Sequence, residues 1–332
     1  MLPGMIRADL PLAVSPPPRV PARIPAWALP DGPVGDGVEA AFFAGAALQS
    51  LDALVRSEPV WAGAWRQRLA LKSAAQSLRF LGRGEDEPEL RDAWYLRAPG
   101  VDPGPAGAVL GVWKALASRH LAARAAASEP LLDADDLASA TEAFGLRHDA
   151  ALAAIPARIG DLMHSPRSAP FLAADIAAHV IAVRPGAEPL AWWLADLVLA
   201  GKLRWPHPAP LLMARMSSPR GRLKDARGVF DPAGEDFARM VCLALVRGAA
   251  DALRLAGDID RRTERLLATG PKLRAKGAGE AIRKLLDDDA VPGTLTTKNL
   301  SRFGARRLFA RLQAFEAVRE LSGRSSFRLY GL

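Results

Sequence analysis

Six arginines near the C-terminus are the residues best suited to chemistry. Arg302, Arg306, Arg307 and Arg311 recur at helical spacing, and Arg324 and Arg328 follow around a Ser-Gly turn. A guanidinium is planar and permanently charged. It bridges guanine O6 and N7 in a major groove or grips a phosphate through two parallel N–H bonds. The expected chemistry is therefore double-stranded DNA recognition by Arg302, Arg306, Arg307, Arg311, Arg324 and Arg328, with no catalysis. A solvated helix surface also carries arginines opposite an apolar stripe, so a protein-docking role for the same segment stays open beside it.

Other groupings are weaker. Asp161 with His164, and Asp175 with His179, have the helical spacing of metal ligands, yet neither segment matches the Glu-x-x-His pattern of a di-iron bundle. Arg147-His148-Asp149 resembles a kinase catalytic loop, but its glycine-rich loop, lysine and Asp-Phe-Gly partners are missing. No GxxxxGK[ST], GxGxxG or GxSxG run occurs, which removes support for nucleotide binding and α/β-hydrolase chemistry. The lone Cys242 sits among Val241, Leu243 and Leu245 and reads as a small buried hydrophobe. It also excludes disulfides and cysteine-rich metal sites. Trp192, Trp193 and Trp205 lie among leucines and read as core, and Asp287-Asp288-Asp289 reads as a solvated helix end. No catalytic residue, cofactor or metal is expected.

The charge distribution agrees with an anionic partner. Of the net +8, the stretch 270–332 holds +7, from 13 Lys and Arg against 6 Asp and Glu. Such asymmetry favours nucleic acid, because each cation that replaces a condensed counterion gains affinity. A genome rich in G and C also inflates arginine, and the ratio of 36 Arg to 8 Lys carries that signature.

The elements that must position these residues are helical. Residues 1–37 are proline-rich and read as an extended arm. Apolar residues then recur at helical spacing over 38–56, 60–82, around Trp94, 103–127, 133–165, 169–183, 188–201 and 235–267, with Gly145 and Pro156 as breaks. WPHPAP at 205–210 must be a rigid turn, and 217–228 is a basic loop. The expected fold is an all-α, multi-helix domain over 38–268, a linker over 269–278, and a winged-helix-like unit over 279–332 ending in a β-hairpin. In that unit 279–290 is a short helix and 302–317 a longer one. At about 100° per residue, Ala305, Leu308, Phe309, Leu312 and Phe315 of the longer helix share an arc of roughly 120°. The four arginines face away from it, and Phe303 falls on their side. Residues 318–321 and 326–330 alternate as a hairpin around Ser-Gly-Arg.

Three stretches carry a family resemblance: AFFAGAALQSLDALVRSEPVWAGAWRQRLAL, PLAWWLADLVLAGKLRWPHPAPLL and RRLFARLQAFEAVRELSGRSSFRLYGL. Over 38–332 the chain resembles bacterial domain-of-unknown-function family 1403. The resemblance implies a bacterial, cytoplasmic, helical protein and supplies no activity or cofactor. The middle and last stretches also resemble plasmid- and rhizobia-associated helical proteins with a winged-helix end, which implies DNA work. The cytoplasm is expected on other grounds too, since no signal-peptide core and no uncharged apolar run of about 18 residues is present. The expected role is that of a DNA-binding or regulatory protein without enzymatic activity. A helical protein–protein interaction module, or one that self-associates, is the alternative, and a metal-dependent helical enzyme the lesser one.

Overall fold

A computed structural model describes residues 23–98, 100–216, 231–234, 236–270, 273, 277–324 and 326–332. The basic loop expected over 217–228 lies outside them, as do half of the linker expected over 269–278 and residues 1–22 of the proline-rich arm. The protein is mostly helical, with a small three-stranded antiparallel sheet near the C-terminus.

Local chemistry accounts for the helix boundaries. α1 (Gly37–Ser57) opens on Asp36, whose carboxylate accepts the Val38 N–H at 3.0 Å. Its buried residues, Ala40, Ala44, Ala47, Leu48, Leu51, Leu54 and Val55, form one stripe, and the alanines let α11 approach closely. By length and composition α1 is also apolar enough to cross a membrane, but here that stripe is covered by protein. α2 (Ala62–Phe80) is buried on several sides and lies against α4 (Gly104–Ser118), α11 and the C-terminal unit. α3 (Glu87–Tyr95) starts with a reciprocal cap between Asp86 and Glu89. Three short helices follow α4 and α5 (Leu121–Ala126): α6 (Ala134–Ala143), α7 (Ala150–Ala153) and α8 (Ile155–His164). Their breaks fall at Gly145, with φ +68°, and just before Pro156, as the sequence predicts.

α9 (Ala169–Val183) and α10 (Glu188–Lys202) pair closely, and α10 is buried from Glu188 to Ala200. α11 (Phe237–Thr269) is 33 residues long, about 50 Å at 1.5 Å per residue. It runs past α1, α9 and α2 and so spans the helical body. Residues 23–37, expected to continue the extended arm, pack instead. Ile24, Ala28 and Val34 are buried, and the Val34 carbonyl accepts from Arg239 Nη1 at 2.7 Å.

The C-terminal unit runs α12 (Ala278–Asp287), β1 (Val291–Pro292), α13 (Arg302–Ala314), β2 (Arg319–Glu320) and β3 (Leu329–Gly331). The strand order is β1-β3-β2, with Val291 opposite Tyr330 and Arg319 opposite Gly331. Its buried side chains join those of the body in one continuous core.

Candidate nucleic-acid interface

α13 is built to face two ways. Ser301 caps it by accepting the Gly304 N–H at 3.2 Å. Ala305, Leu308, Phe309 and Leu312 are buried, and the Phe309 ring stacks on Tyr330 of β3 at 4.8 Å and 5°. This pins the helix to the sheet and turns Arg302, Arg306, Arg307 and Arg311 outward, where all four are exposed. Arg302, Arg306 and Arg307 form no ion pair among the described residues. Arg311 lies over the Phe315 ring at 5.7 Å. Phe315, expected in the buried arc, is 40% exposed because the helix ends at Ala314, and Phe303 stands 72% exposed beside the arginines.

The loop between β2 and β3 treats its arginines differently. Arg324 pairs with Asp92 of α3, and Arg328 Nε lies 3.8 Å from Glu320. Glu320 also accepts from Ser322 Oγ at 2.8 Å and the Arg324 N–H at 3.3 Å, organising the turn. Phe327, which falls in the strand expected over 326–330, is exposed with φ +55°, a left-handed conformation rare for a bulky residue. Of the six arginines expected to contact DNA, four therefore project from one helix face and two are engaged by carboxylates.

The unit is held to the body by the acidic run expected to be solvated. Asp289 is 2% exposed and receives Arg68 Nε of α2 and Arg91 Nε of α3, the latter at 2.6 Å. Arg68 Nη2 also donates to the carbonyls of Asp289 at 3.3 Å and Leu332 at 3.2 Å. Burial pushes the Asp289 carboxyl up, and the two guanidinium groups more than reverse this, holding it below the usual carboxylate range. Asp288 accepts from Tyr95 Oη at 2.5 Å and pairs with Lys114 of α4. Asp287 alone of the three is exposed. The reading as a solvated helix end failed because the partners lie about 200 residues upstream, beyond any local pattern.

The remaining candidates have structural roles. Asp175 pairs with Arg167 at 3.3 Å and His164 Nδ1 lies 2.7 Å from the Gly160 carbonyl. Among the described residues no group of three or more His, Cys, Asp or Glu could hold a metal. Asp149 caps α7 and pairs with Arg184. Trp192, Trp193 and Trp205 are buried, with Trp205 Nε1 donating to Asp52 at 2.8 Å. Cys242 is buried, which pushes its thiol up to about 11.

Asp196 is the polar residue that sequence reasoning underused. Its carboxylate, fully buried in α10, accepts the N–H groups of Leu211 at 3.0 Å and Leu212 at 3.2 Å, closing the loop after the WPHPAP turn. Burial pushes its pKa well above the carboxylate range, and those two bonds only partly oppose that. A carboxylate in an otherwise apolar helical run was the available signal.

Comparison with known proteins adds a family and no function. No curated protein and no solved structure matches the chain. A family model, "Protein of unknown function (DUF1403)", matches residues 15–332. That match covers nearly the whole chain, which belongs to the DUF1403 family.

Proposed function

We propose that residues 278–332 form a winged-helix-like unit that binds double-stranded DNA through α13, with the helical body as a regulatory or partner-holding part. The observation that carries this reading is the outward face of α13, where Arg302, Arg306 and Arg307 stand exposed with no acidic partner among the described residues. The order helix, strand, helix, strand, strand with sheet order β1-β3-β2 supports it, since a helix followed by a two-stranded wing presents that face to a major groove. The unit is abbreviated. Between β1 and α13 the chain forms a turn closed by a bridge between Thr297 and Leu300 in place of a middle helix.

Three phosphate contacts, one from each of these arginines, give log K against log salt a slope of about −2.7, at 0.9 per phosphate. Fluorescence anisotropy with a labelled random duplex at several salt concentrations tests this. Arg306→Ala with Arg307→Ala should weaken binding and flatten the slope by about 1.8. A folded double variant with unchanged affinity and slope refutes the reading. A second reading, docking on a protein, is favoured by the exposed aromatic rings of Phe303 and Phe327, at 72% and 66%. It requires a stoichiometric complex that survives nuclease treatment.

A further inference from the structure

The crest of α13 carries a phenyl ring. Ala305, Leu308, Phe309 and Leu312 are buried, and at about 100° per residue Phe303 points roughly opposite to them, into solvent. It stands apart from the apolar core, whereas Trp27 and Phe42, also exposed, lean on each other at 6.2 Å. Arg307 and Arg311 lie roughly 40° and 80° to one side of Phe303, and Arg306 and Arg302 roughly 60° and 100° to the other. Ala310, also exposed, shares the crest. The outward surface is therefore an apolar ridge with guanidinium groups on both flanks. No Asp or Glu occurs in the sequence between Asp289 and Glu316, so this segment brings no anion of its own to those flanks.

We infer that Phe303 reads the 5-methyl group of a thymine in the major groove while the arginines on either flank hold the phosphates. The inference rests on the DNA-binding reading and names what α13 recognises. A helix about 10–12 Å across fits a major groove about 12 Å wide. Its crest then meets the base edges on the groove floor, and its flanks meet the phosphate rims. Guanidinium groups belong on the flanks, where the charge is. The floor presents hydrogen-bonding groups, and among the four standard bases the thymine methyl is its one apolar feature. An isolated ring on the crest matches that single methyl. Ser301 caps α13, which puts Phe303 in its first turn, and the N-terminal residues of a recognition helix are those that contact base edges. A protein-docking face is built differently, around a central cluster of apolar anchors. Here the crest beyond Phe303 offers only Ala310, and charge flanks both.

The test selects binding sites for the full chain from a random-sequence duplex pool. Each thymine of the selected site is then replaced by uracil, which removes the methyl and nothing else. Wild type should lose about fourfold in affinity at one position, the worth of one buried methyl group. Phe303→Ala should leave the thermal midpoint unchanged, because the ring is exposed. It should bind the thymine and uracil duplexes alike and keep the wild-type salt slope, since a phenyl ring displaces no counterion. Arg306→Ala with Arg307→Ala should do the reverse, flattening the slope and keeping the thymine preference. If no uracil replacement matters, or if the preference persists in Phe303→Ala, the thymine contact is wrong, and the α13 reading survives when the arginine variant flattens the slope. If wild type binds every duplex of the pool alike, Phe303 reads no base and the inference is equally wrong. If wild type binds no duplex, both fall and the ring is left to a protein partner.

Discussion

Replacing Asp289 by Asn isolates the contact that joins the two parts of the molecule. The carboxylate is 2% exposed, and each guanidinium facing it belongs to a residue only 7% exposed. It accepts charge-assisted bonds from Arg68 and Arg91, each worth about 1.5–3 kcal/mol, so about 3–6 kcal/mol is at stake. Removing one member of a buried ion pair typically costs about 3–5 kcal/mol, because the remaining charges are left uncompensated. Asn recovers one acceptor but turns an N–H toward the second guanidinium, so a loss of about 4 kcal/mol is the working value. With a urea m-value of about 3 kcal/mol/M, the unfolding midpoint should drop by roughly 1.3 M. Hydrogen exchange should accelerate first in α12 and β3, and least in the buried α10. The pH dependence has a definite sign. A carboxyl held below its usual value contributes stability that is fully present above the unfolded value of about 3.9. That contribution disappears as pH falls through the lower folded value. A variant that unfolds within about 0.3 M of wild type, with unaltered exchange in the C-terminal unit, refutes the account of the junction.

Substitutions at two further positions probe other features. Asp196→Ala should cost about 1–3 kcal/mol by stranding the Leu211 and Leu212 N–H groups, measured by denaturant titration at pH 7. Asp196→Asn should instead hold or raise stability there. The folded state binds the extra proton, so wild-type stability falls as pH rises above about 3.9 toward the raised folded value, and the Asn variant should lose that decline. Gly63→Ala should destabilise by about 1–3 kcal/mol although Ala is the better helix former by about 1 kcal/mol. A Cβ there would meet the Asp287 backbone at 2.7 Å and push α12 away from α2, which a thermal melt would register.

What was legible in the sequence follows the range of the interaction responsible. Helix bodies are local, so the expected 169–183 and 188–201 match α9 and α10 to within a residue, and 235–267 matches α11 to within two. The two faces of α13 were readable for the same reason, from Ala305, Leu308, Phe309 and Leu312 on one side and the arginines on the other. The strands were less readable. β1 lies at Val291–Pro292, where proline and glycine signal a stop, because a two-residue edge strand tolerates a proline that a longer one would not. The expected strand 326–330 shrinks to Leu329–Gly331, since the turn organised by Glu320 takes up the residues before it. Least readable were the partners. Asp92 of α3 engages Arg324, and Arg68 and Arg91 engage Asp289, all across long stretches of chain whose pairing no periodicity records.

The Asp289 junction also sets an order of events during synthesis. Arg68 and Arg91 leave the ribosome 221 and 198 residues before the carboxylate that neutralises them. At about 5–20 residues per second this interval is roughly 10–45 s. During it α2 and α3 can find α4, but the pocket meant for Asp289 holds two guanidiniums without a counter-charge. The body must therefore wait half-finished or keep that corner open to water, and the arrival of α12 completes both parts at once. The C-terminal unit, in this sense, is the last piece of the body's own interior.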